Sequence, residues 1–340
     1  MGYDFTNCKE LINNFGGSEK KKKILYNNER YMMKFPDPIR EINNNLSYMN
    51  NTFSEYIGCH IFELCGIPAQ KTLLGEYYDK TTNKNKVVVA CRSFENDNLN
   101  LVEFSKFLLS SNFDSKNNDK LELNDILTIF KTNERINSIE NLDKFYDTLV
   151  IDALIGNEDR HQDNFGFVYT DNEDIEKINY SPIYDCGSCL SPLLSDEKMK
   201  EIINDDELFK NQEYNIMYKY CENGKRIYMH QFYDNVLNDN NLKYALLRLY
   251  PKININNIDD LINNTEYISD IRKEYLKKAI KLRYDLILTP AYKKIQKHTL
   301  NDKEKQRIKF NSFYNTKQWN IKTIKYNNLL ERVNNHSLFY

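Results

Sequence analysis

The stretch 152–190 carries three polar residues whose types and spacing could support phosphoryl transfer. Asp159 is followed five residues later by Asn164, and Asp185 comes further along the same stretch. A carboxylate can accept the proton of an attacking hydroxyl, and amide and carboxylate oxygens are the hard ligands that Mg²⁺ prefers. The set therefore predicts a catalytic base, Asp159, and two metal ligands, Asn164 and Asp185.

Rigid elements are predicted on both sides of these residues. Apolar residues at i, i+3 and i+4 predict a helix over 142–154 with one buried face, and Gly156 ends it. The polar run 157–164 is then a loop before an alternating strand over 165–169. A second strand, over 177–184, returns after a turn and delivers Asp185 close to the start of the loop.

The spacing of Asp159 and Asn164 has both a purely structural and a functional interpretation. Taken alone, an Asp followed by an Asn five positions later is common by chance and is typical of a capped polar turn. The flanking helix, the hairpin and the second Asp favour the arrangement in which protein kinases hold a catalytic base and two Mg²⁺ ligands. His161 lies beside the predicted base, and we expect it to orient the loop through hydrogen bonds.

One cation is embedded in an otherwise apolar strand near the N-terminus. Lys34 follows two methionines and needs an anionic partner, which in a kinase is ATP phosphate together with a helix glutamate. Glu55, in a helix that opens at 52–55, is the natural candidate. Thr52 and Glu55 also form a capping-box pattern, so the residues alone leave both interpretations open.

A glycine-containing turn precedes that strand. Gly16 and Gly17 could let backbone N–H groups approach phosphates, with Ser18 beside them, although an ordinary hairpin turn is the favoured interpretation. Lys20 lies nearest the glycines in a lysine run that is more typical of a solvated face.

An apolar strand over 87–91 leads into a polar stretch that would form the hinge between two lobes. Backbone groups of this hinge, 92–100, are expected to bind adenine, with Arg92 and Phe94 as the candidate residues. Downstream of Asp185 the apolar spacing predicts mostly helices.

Composition allows a two-lobed enzyme and excludes several other classes. The 340 residues carry a net charge of −2, which predicts no general affinity for nucleic acid. Residues 291–340 differ, with 11 Lys/Arg against 3 Asp/Glu interleaved with aromatics. No apolar run approaches membrane-spanning length and the N-terminus lacks a secretory signal, so we expect a soluble protein. Seven scattered cysteines suit a reducing cytoplasm.

The order of these motifs resembles that of the HipA-like bacterial serine/threonine kinases, and is most similar to their compact CtkA branch. The resemblance rests on Gly16-Gly17-Ser18-Glu19-Lys20, Lys34-Phe35-Pro36, Ser54-Glu55-Tyr56, Asn157-x-Asp159-Arg160-His161-x-x-Asn164-Phe165-Gly166-Phe167 and Ser181-Pro182-Ile183-Tyr184-Asp185. The CtkA branch is also similar at Leu74-Gly75, Val88–Cys91, Asp185–Leu190 and Leu247–Pro251. The resemblance extends from about Phe5 to about Asp285 and fades in the tail.

The resemblance implies an α+β, bilobal protein-kinase-like fold. A small β-rich N-lobe is expected over 1–95, a larger helical C-lobe over 96–290, and a basic, aromatic tail over 291–340. It also implies ATP and Mg²⁺ as cofactors and a protein substrate with a Ser or Thr acceptor, with transfer to the chain itself left open. The site residues implied are Asp159 as base, Asn164 and Asp185 as metal ligands, Lys34 on the phosphates and Glu55 as its partner.

Two departures from the family pattern bear on regulation and partners. The HipA family has a regulatory serine just ahead of the first loop glycine, where this sequence has Asn13. The chain also begins almost at the glycine loop, as in the CtkA branch, without the small N-terminal subdomain of the HipA toxins. Docking to a HipB-like antitoxin is therefore an open question, as is export from the cytoplasm by a leaderless route.

Four alternatives remain open from the sequence. Phosphoinositide kinases share the catalytic-loop pattern but phosphorylate a lipid hydroxyl. Cys186 and Cys189 have the spacing of a thioredoxin-type pair or of half a zinc site. A pseudokinase scaffold could use the basic tail as a contact surface. The tail could also bind single-stranded nucleic acid, although a segment that packs its aromatics on the C-lobe is favoured.

Overall fold

The computed structural model describes residues 2–12, 20–38, 49–110, 121–170 and 178–298. The chain divides into two units, Met1–Tyr292 and Lys293–Tyr340. The first unit has an α+β fold with a β-rich N-lobe and a larger, mostly helical C-lobe, which confirms the predicted fold class.

The N-lobe is built on one six-stranded sheet. Its strands are β1 (Tyr3–Asp4), β2 (Lys9–Leu11), β3 (Lys21–Tyr26), β4 (Glu29–Lys34), β5 (Thr72–Asp79) and β6 (Lys84–Arg92). Their spatial order is β1-β5-β6-β4-β3-β2. Asn27 and Asn28 connect β3 to β4 with φ angles of 47° and 62°, the left-handed pair that a tight hairpin turn requires.

The two faces of this sheet have different neighbours. Because side chains alternate along a strand, Met33 and Phe35 lie on one face of β4 and Met32 and Lys34 on the other. The first face forms an apolar cluster of Phe5, Ile24, Tyr31, Met33, Phe35, Val88 and Ala90. On the second face, Leu74, Val89 and Cys91 pack against Phe53 and Tyr56 of helix α1 (Asn51–Leu64). Lys34 therefore faces α1.

After β6, the described part of the chain contains ten α-helices and five strands. The helices are α2 (Ser105–Ser110), α3 (Leu123–Thr132), α4 (Ile139–Ile155), α5 (Asp196–Ile203), α6 (Asp206–Tyr214), α7 (Met229–Asp234), α8 (Asn240–Leu249), α9 (Ile255–Asn264), α10 (Asp270–Arg283) and α11 (Thr289–Lys297). Strands β7 (Asn100–Glu103), β8 (Gly166–Tyr169) and β9 (Asn179–Tyr180) form one sheet, and β10 (Met217–Glu222) and β11 (Lys225–Tyr228) form a hairpin.

Helix α4 is the central support of the C-lobe. The Ser138 side chain caps its first turn by accepting from the Asn141 N–H at 3.0 Å, and Gly156 ends it with a left-handed φ of 65°. The Phe145 ring of α4 lies 5.5 Å from that of Phe165, at the start of β8. This packing joins α4 to the segment that follows the polar loop, so the loop lies between two packed elements, as the sequence predicts.

The second strand and one hairpin differ from the sequence prediction. Residue 177 of the strand predicted over 177–184 lies outside the described residues. Over 178–184 the strand is reduced to β9, since Pro182 has no N–H to donate and Ile183 bridges instead to Ala69. The apolar spacing after Asp185 predicts mostly helices, and this prediction misses the β10–β11 hairpin.

Candidate active site

A single buried arginine, Arg160, fixes the polar loop between α4 and β8. It forms a buried ion pair with Asp152 of α4, with an Nε–Oδ2 distance of 3.0 Å. Its Nη1 atom donates to the backbone oxygens of Asn164 at 2.7 Å and Tyr184 at 2.5 Å. Because one nitrogen binds both segments, Asn164 and the segment that leads into Asp185 are held around the same guanidinium.

Asp159 lies at the open side of this loop. Its side chain is 40% exposed, so an incoming hydroxyl can reach the carboxylate. The Ser188 hydroxyl donates to Oδ2 at 3.3 Å, and the Lys219 Nζ lies 3.6 Å from Oδ1. The two carboxylate oxygens therefore already face one hydroxyl donor and one cation.

Asn164 and His161 are engaged within the loop itself. The Asn164 Nδ2 donates to the Asp159 carbonyl at 2.9 Å, and no hydrogen-bond donor in the described ranges reaches its Oδ1. His161 Nδ1 accepts from the Asp163 N–H at 3.2 Å. The amide oxygen of Asn164 is thus available to a cation, and His161 has the loop contact expected of an orienting residue.

Lys34 of β4 connects the two lobes. Its Nζ lies 3.0 Å from Oε2 of Glu55 on α1 and 2.7 Å from Oδ1 of Asp185 in the C-lobe. The other Glu55 oxygen accepts from the Asp185 N–H at 3.1 Å. Helix α1 is N-capped by Asn50 rather than Thr52, so the capping-box interpretation of Glu55 is wrong. Glu55 is fully buried and serves the ion pair instead.

The environment of Asp185 keeps its carboxylate ionised. Burial raises the pKa of Asp185, but the charge and hydrogen bond of Lys34 outweigh burial, and Lys21 and Arg160 add smaller contributions, so the pKa falls to about 2. Its φ of 57° lies in the left-handed region, which non-glycine residues rarely adopt. A charged and strained residue in a cleft between lobes is typical of a functional site.

Strand register decides which lysine of the run 20–23 faces the site. Lys21 pairs in register with Lys34, and directly opposed residues lie on the same face of a sheet. Lys21 therefore faces the site. Lys20 lies on the other face, where its Nζ pairs with Asp79 at 3.1 Å, so this position gives no support to the predicted contact of Lys20 with the phosphates.

Arg92 is also engaged differently from the prediction. Its guanidinium pairs with Glu29 at 2.9 Å and with Asp97 at 2.5 Å. Its backbone N–H donates to the Lys71 carbonyl at 2.8 Å, and its backbone carbonyl accepts from the Gln70 side chain at 2.9 Å. Because these groups are already bonded within the protein, Arg92 braces the start of the hinge, and its predicted contact with adenine gains no support from this arrangement.

Phe94 contacts the segment that leads into Asp185. It begins a short 3₁₀ turn, Phe94–Asp97, and its ring meets that of Tyr184 nearly at a right angle, with centroids 6.1 Å apart. Since Tyr184 directly precedes Asp185, this contact links the hinge to the segment that carries the predicted metal ligand.

Comparison with known proteins assigns the family. Residues 14–217 match the HipA-like C-terminal domain family, which is more than half of the chain. The chain belongs to the HipA-like family. The matched range contains the candidate site residues from Gly16 to Ser188, and Lys219 lies just beyond it.

HipA-like relatives of similar length support the assignment. The serine/threonine-protein kinase CtkA of Helicobacter pylori strain J99 is 35% identical over 307 residues, which cover 88% of this chain and 91% of that protein. The crystal structure of the H. pylori proinflammatory kinase CtkA matches with a TM-score of 0.79 and 33% identity, covering 88% of this chain and 100% of that one. Both matches confirm the resemblance to the CtkA branch.

Three predicted residues of the HipA-like pattern, Gly16, Gly17 and Ser18, lie outside the described residues. The alternatives based on Cys186 and Cys189 gain no support, because both thiols are buried and free and the segment forms turns rather than a helix. No group of three His, Cys, Asp or Glu side chains in the described ranges is arranged to hold a metal ion.

Among the helices that the structure describes, none has the length and apolar character needed to cross a membrane.

Two cations near the candidate site, Lys21 and Lys219, were not predicted from the sequence. The face on which Lys21 lies depends on the strand register. Lys219 lies on β10, and the β10–β11 hairpin could have been found from its turn, Asn223-Gly224, which is a strong short-range hairpin signal.

Proposed function

We propose that this HipA-like chain is a serine/threonine protein kinase that transfers the γ-phosphate of ATP, in the presence of Mg²⁺, to a protein hydroxyl. The observation that carries the proposal is the ion-pair set around Lys34, which contacts Glu55 at 3.0 Å and Asp185 at 2.7 Å. A buried lysine with two carboxylates at the junction of two lobes is the arrangement that kinases use to hold nucleotide phosphates.

Asp159 is assigned as the base that takes the proton from the attacking hydroxyl. Support comes from its exposure and from the Ser188 hydroxyl, which already donates to Oδ2 at 3.3 Å. A base must lie within hydrogen-bond reach of the proton that it removes, and this contact shows that a serine hydroxyl can approach Asp159. His161 is assigned to orienting the loop.

Asn164 and Asp185 are assigned to Mg²⁺. Both offer hard oxygen donors, the pKa of Asp185 at about 2 keeps its carboxylate charged, and no donor in the described residues reaches the Asn164 Oδ1. When bound there with the nucleotide, Mg²⁺ would neutralise charge on the phosphates. Arg160 serves both ligands by holding their backbones around one guanidinium.

Lys34 is assigned to the nucleotide phosphates, with Lys21 in place of Lys20 as the second cation on that face of the sheet. Gly16, Gly17 and Ser18, which lie outside the described residues, are assigned to phosphate binding. Phe94 is assigned to the adenine end of the cleft, on the strength of its contact with Tyr184.

Several finer expectations stay predictions. They are the lobe boundaries 1–95 and 96–290, the separate tail 291–340, autophosphorylation, a cytoplasmic location with or without leaderless export, a HipB-like partner and nucleic-acid binding by the tail. The CtkA relative is named as a serine/threonine-protein kinase, and we extend to this chain a protein substrate with a Ser or Thr acceptor.

The test is transfer of label from γ-labelled ATP and Mg²⁺ to a generic Ser/Thr acceptor protein, with vesicles containing phosphatidylinositol in a parallel reaction. We expect phosphoserine or phosphothreonine in the protein, and loss of about 10²–10⁴-fold in rate for Asp159→Asn. Glu201→Gln, on an exposed part of α5, is the matched control and should retain the wild-type rate.

Three outcomes would contradict the proposal. Label recovered only in lipid would favour the phosphoinositide-kinase alternative. No transfer by the wild-type protein would favour a pseudokinase scaffold. A wild-type rate in Asp159→Asn would show that the base is misassigned.

A further inference from the structure

The β10–β11 hairpin places a second cation beside the proposed base. Lys219, in the middle of β10, has its Nζ 3.6 Å from Oδ1 of Asp159. The two side chains are 42% and 40% exposed, so the pair faces solvent and a substrate can reach it. Asp159 thus presents one oxygen towards the Ser188 hydroxyl and the other towards an ammonium group.

Buried neighbours hold Lys219 in place. Tyr218 and Tyr220, on either side of it, are both buried in the C-lobe. The Tyr218 hydroxyl donates to the Leu149 carbonyl of α4 at 2.7 Å. Since Lys219 alternates with these tyrosines along the strand, its side chain must point away from the core and towards the loop.

The same hairpin is clamped to the residue next to the base. The Met217 N–H donates to the Glu158 side chain at 3.0 Å, and Arg226 donates to the Glu158 backbone carbonyl at 3.1 Å. Arg226 also donates to the Tyr218 carbonyl at 2.9 Å. These contacts connect β10 directly to the loop, so the distance between Lys219 and Asp159 is set by backbone anchors and not by the ion pair alone.

Neighbouring cations have other contacts. Arg160 is buried and bound to Asp152 and to backbone carbonyls, and Lys34 lies against Glu55 and Asp185. In the part of the chain that the structure describes, Lys219 is the cation paired with Asp159.

Stability does not explain this pair. Ion pairs between exposed side chains contribute little to stability, because water screens the charges and two flexible side chains must be ordered. An exposed pair on a strand that is already anchored by tyrosines and by Glu158 adds little to folding. We therefore look for the role of Lys219 in the binding of a substrate group that approaches Asp159.

We propose that Lys219 is a further catalytic residue of the phosphoryl transfer, an inference that rests on the proposed function. The acceptor oxygen forms a bond to the γ-phosphorus, the bond from that phosphorus to the β,γ-bridging oxygen breaks, ADP leaves, and the hydroxyl proton passes to Asp159. Lys219 keeps its proton throughout. Its ammonium binds the equatorial oxygens of the phosphoryl group, over which charge is spread in the transition state.

Geometry supports this role. An acceptor oxygen that donates to Asp159 lies about 2.6–3.2 Å from the carboxylate, and the reacting phosphorus lies about 3–3.5 Å beyond it. An ammonium 3.6 Å from the same carboxylate, on a flexible four-carbon stem, can reach the oxygens of that phosphoryl group.

The test compares Lys219→Met, Lys219→Arg and Lys225→Met in the full-length protein. Lys225, on β11 of the same hairpin, is exposed and serves as the matched control. We expect Lys219→Met to lower kcat by about 10²-fold, as removal of one charge-stabilising donor does, without changing KM for ATP. Lys219→Arg should recover most of the lost rate, Lys225→Met should match wild type, and thermal unfolding should be the same in all four proteins.

The results that would contradict a catalytic role for Lys219 can be told apart from one another. An unchanged kcat in Lys219→Met, or a change confined to KM for the acceptor, would overturn the inference while wild-type transfer keeps the proposed function. A fall in kcat that tracks a lower unfolding temperature, with no recovery in Lys219→Arg, would show a structural role and overturn it as well. An inactive wild type would overturn both proposals together.

Discussion

At the scale of single residues, the site is a set of charges that satisfy one another across two lobes. Lys34 is nearly fully buried and would be costly there without Glu55 and Asp185. These partners come from residues 21 and 151 positions away. The sequence singled out Glu55 as the candidate partner of Lys34, because a lysine in an apolar strand needs an anionic partner. It gave Asp185 only as a metal ligand, so the Lys34–Asp185 contact was not predicted. Sequence patterns could not decide between pairing and capping for Glu55, since that depends on where α1 begins.

The low pKa of Asp185 makes a prediction about acid stability. Because the folded pKa, about 2, lies below the ordinary 3.8, the unfolded chain takes up the proton first as the pH falls. The stability that Asp185 adds is therefore complete above about pH 4 and lost as the pH falls towards about 2. The difference in unfolding free energy between wild type and Asp185→Asn should be constant from about pH 7 to about pH 5 and shrink below about pH 4.

Urea unfolding of both proteins at a series of pH values measures this difference. A difference that stays constant down to about pH 3 would show that Lys34 does not lower the pKa of Asp185 in the folded protein.

At the scale of elements, the end of α4 determines where the loop begins. Gly156 has a φ of 65°, and a Cβ built there would lie 3.0 Å from Nη1 of Arg283. Arg283 is itself buried, donates to the Leu154 carbonyl at 2.8 Å and pairs with Glu213, so it cannot withdraw. The apolar periodicity alone identifies Gly156 as the helix end, but the contact with Arg283 is non-local and could not be predicted.

Gly156→Ala should destabilise the protein more than Gly224→Ala, the matched control. Both glycines have left-handed φ angles, 65° and 74°, but a Cβ at Gly224 would have no atom within 4 Å. We expect a loss of about 1 kcal/mol for Gly224→Ala from backbone strain and at least about 2 kcal/mol for Gly156→Ala, where a steric clash is added. Chemical denaturation of the two variants measures both losses, and equal losses would mean that Arg283 moves freely.

The unpredicted hairpin illustrates a second limit at this scale. The sequence contains two signals of this hairpin, the alternation of Tyr218 and Tyr220 and the turn Asn223-Gly224. The surrounding segments have helical apolar spacing, and the prediction of mostly helices followed that stronger pattern. The register between strands was the other feature that the sequence could not reveal. Whether Lys20 or Lys21 faces the site depends on the pairing of β3 with β4, which a single strand does not reveal.

At the scale of the whole molecule, the chain places its proposed phosphate-binding cation and its proposed metal ligands on different lobes. Lys34 and Glu55 belong to the N-lobe, whereas Asp159, Asn164 and Asp185 belong to the C-lobe. The order of motifs predicted this fold and the HipA-like family correctly, because each motif is local. The engagement of Arg92 with Glu29 was not predictable, since the two residues are 63 positions apart.

The division of roles between Asp159 and Asp185 is the central claim. Calorimetry with ATP, in the presence and absence of Mg²⁺, tests it on wild type, Asp159→Asn and Asp185→Asn. Asp159→Asn should bind Mg·ATP like wild type although its turnover is lost, because Asp159 is assigned to the incoming hydroxyl and not to the metal or the nucleotide.

Asp185→Asn should lose most of the Mg²⁺-dependent part of the affinity, because an amide oxygen lacks the charge of the carboxylate. Wild-type protein whose ATP affinity does not depend on Mg²⁺, or an Asp185→Asn variant that retains this dependence, would contradict the account.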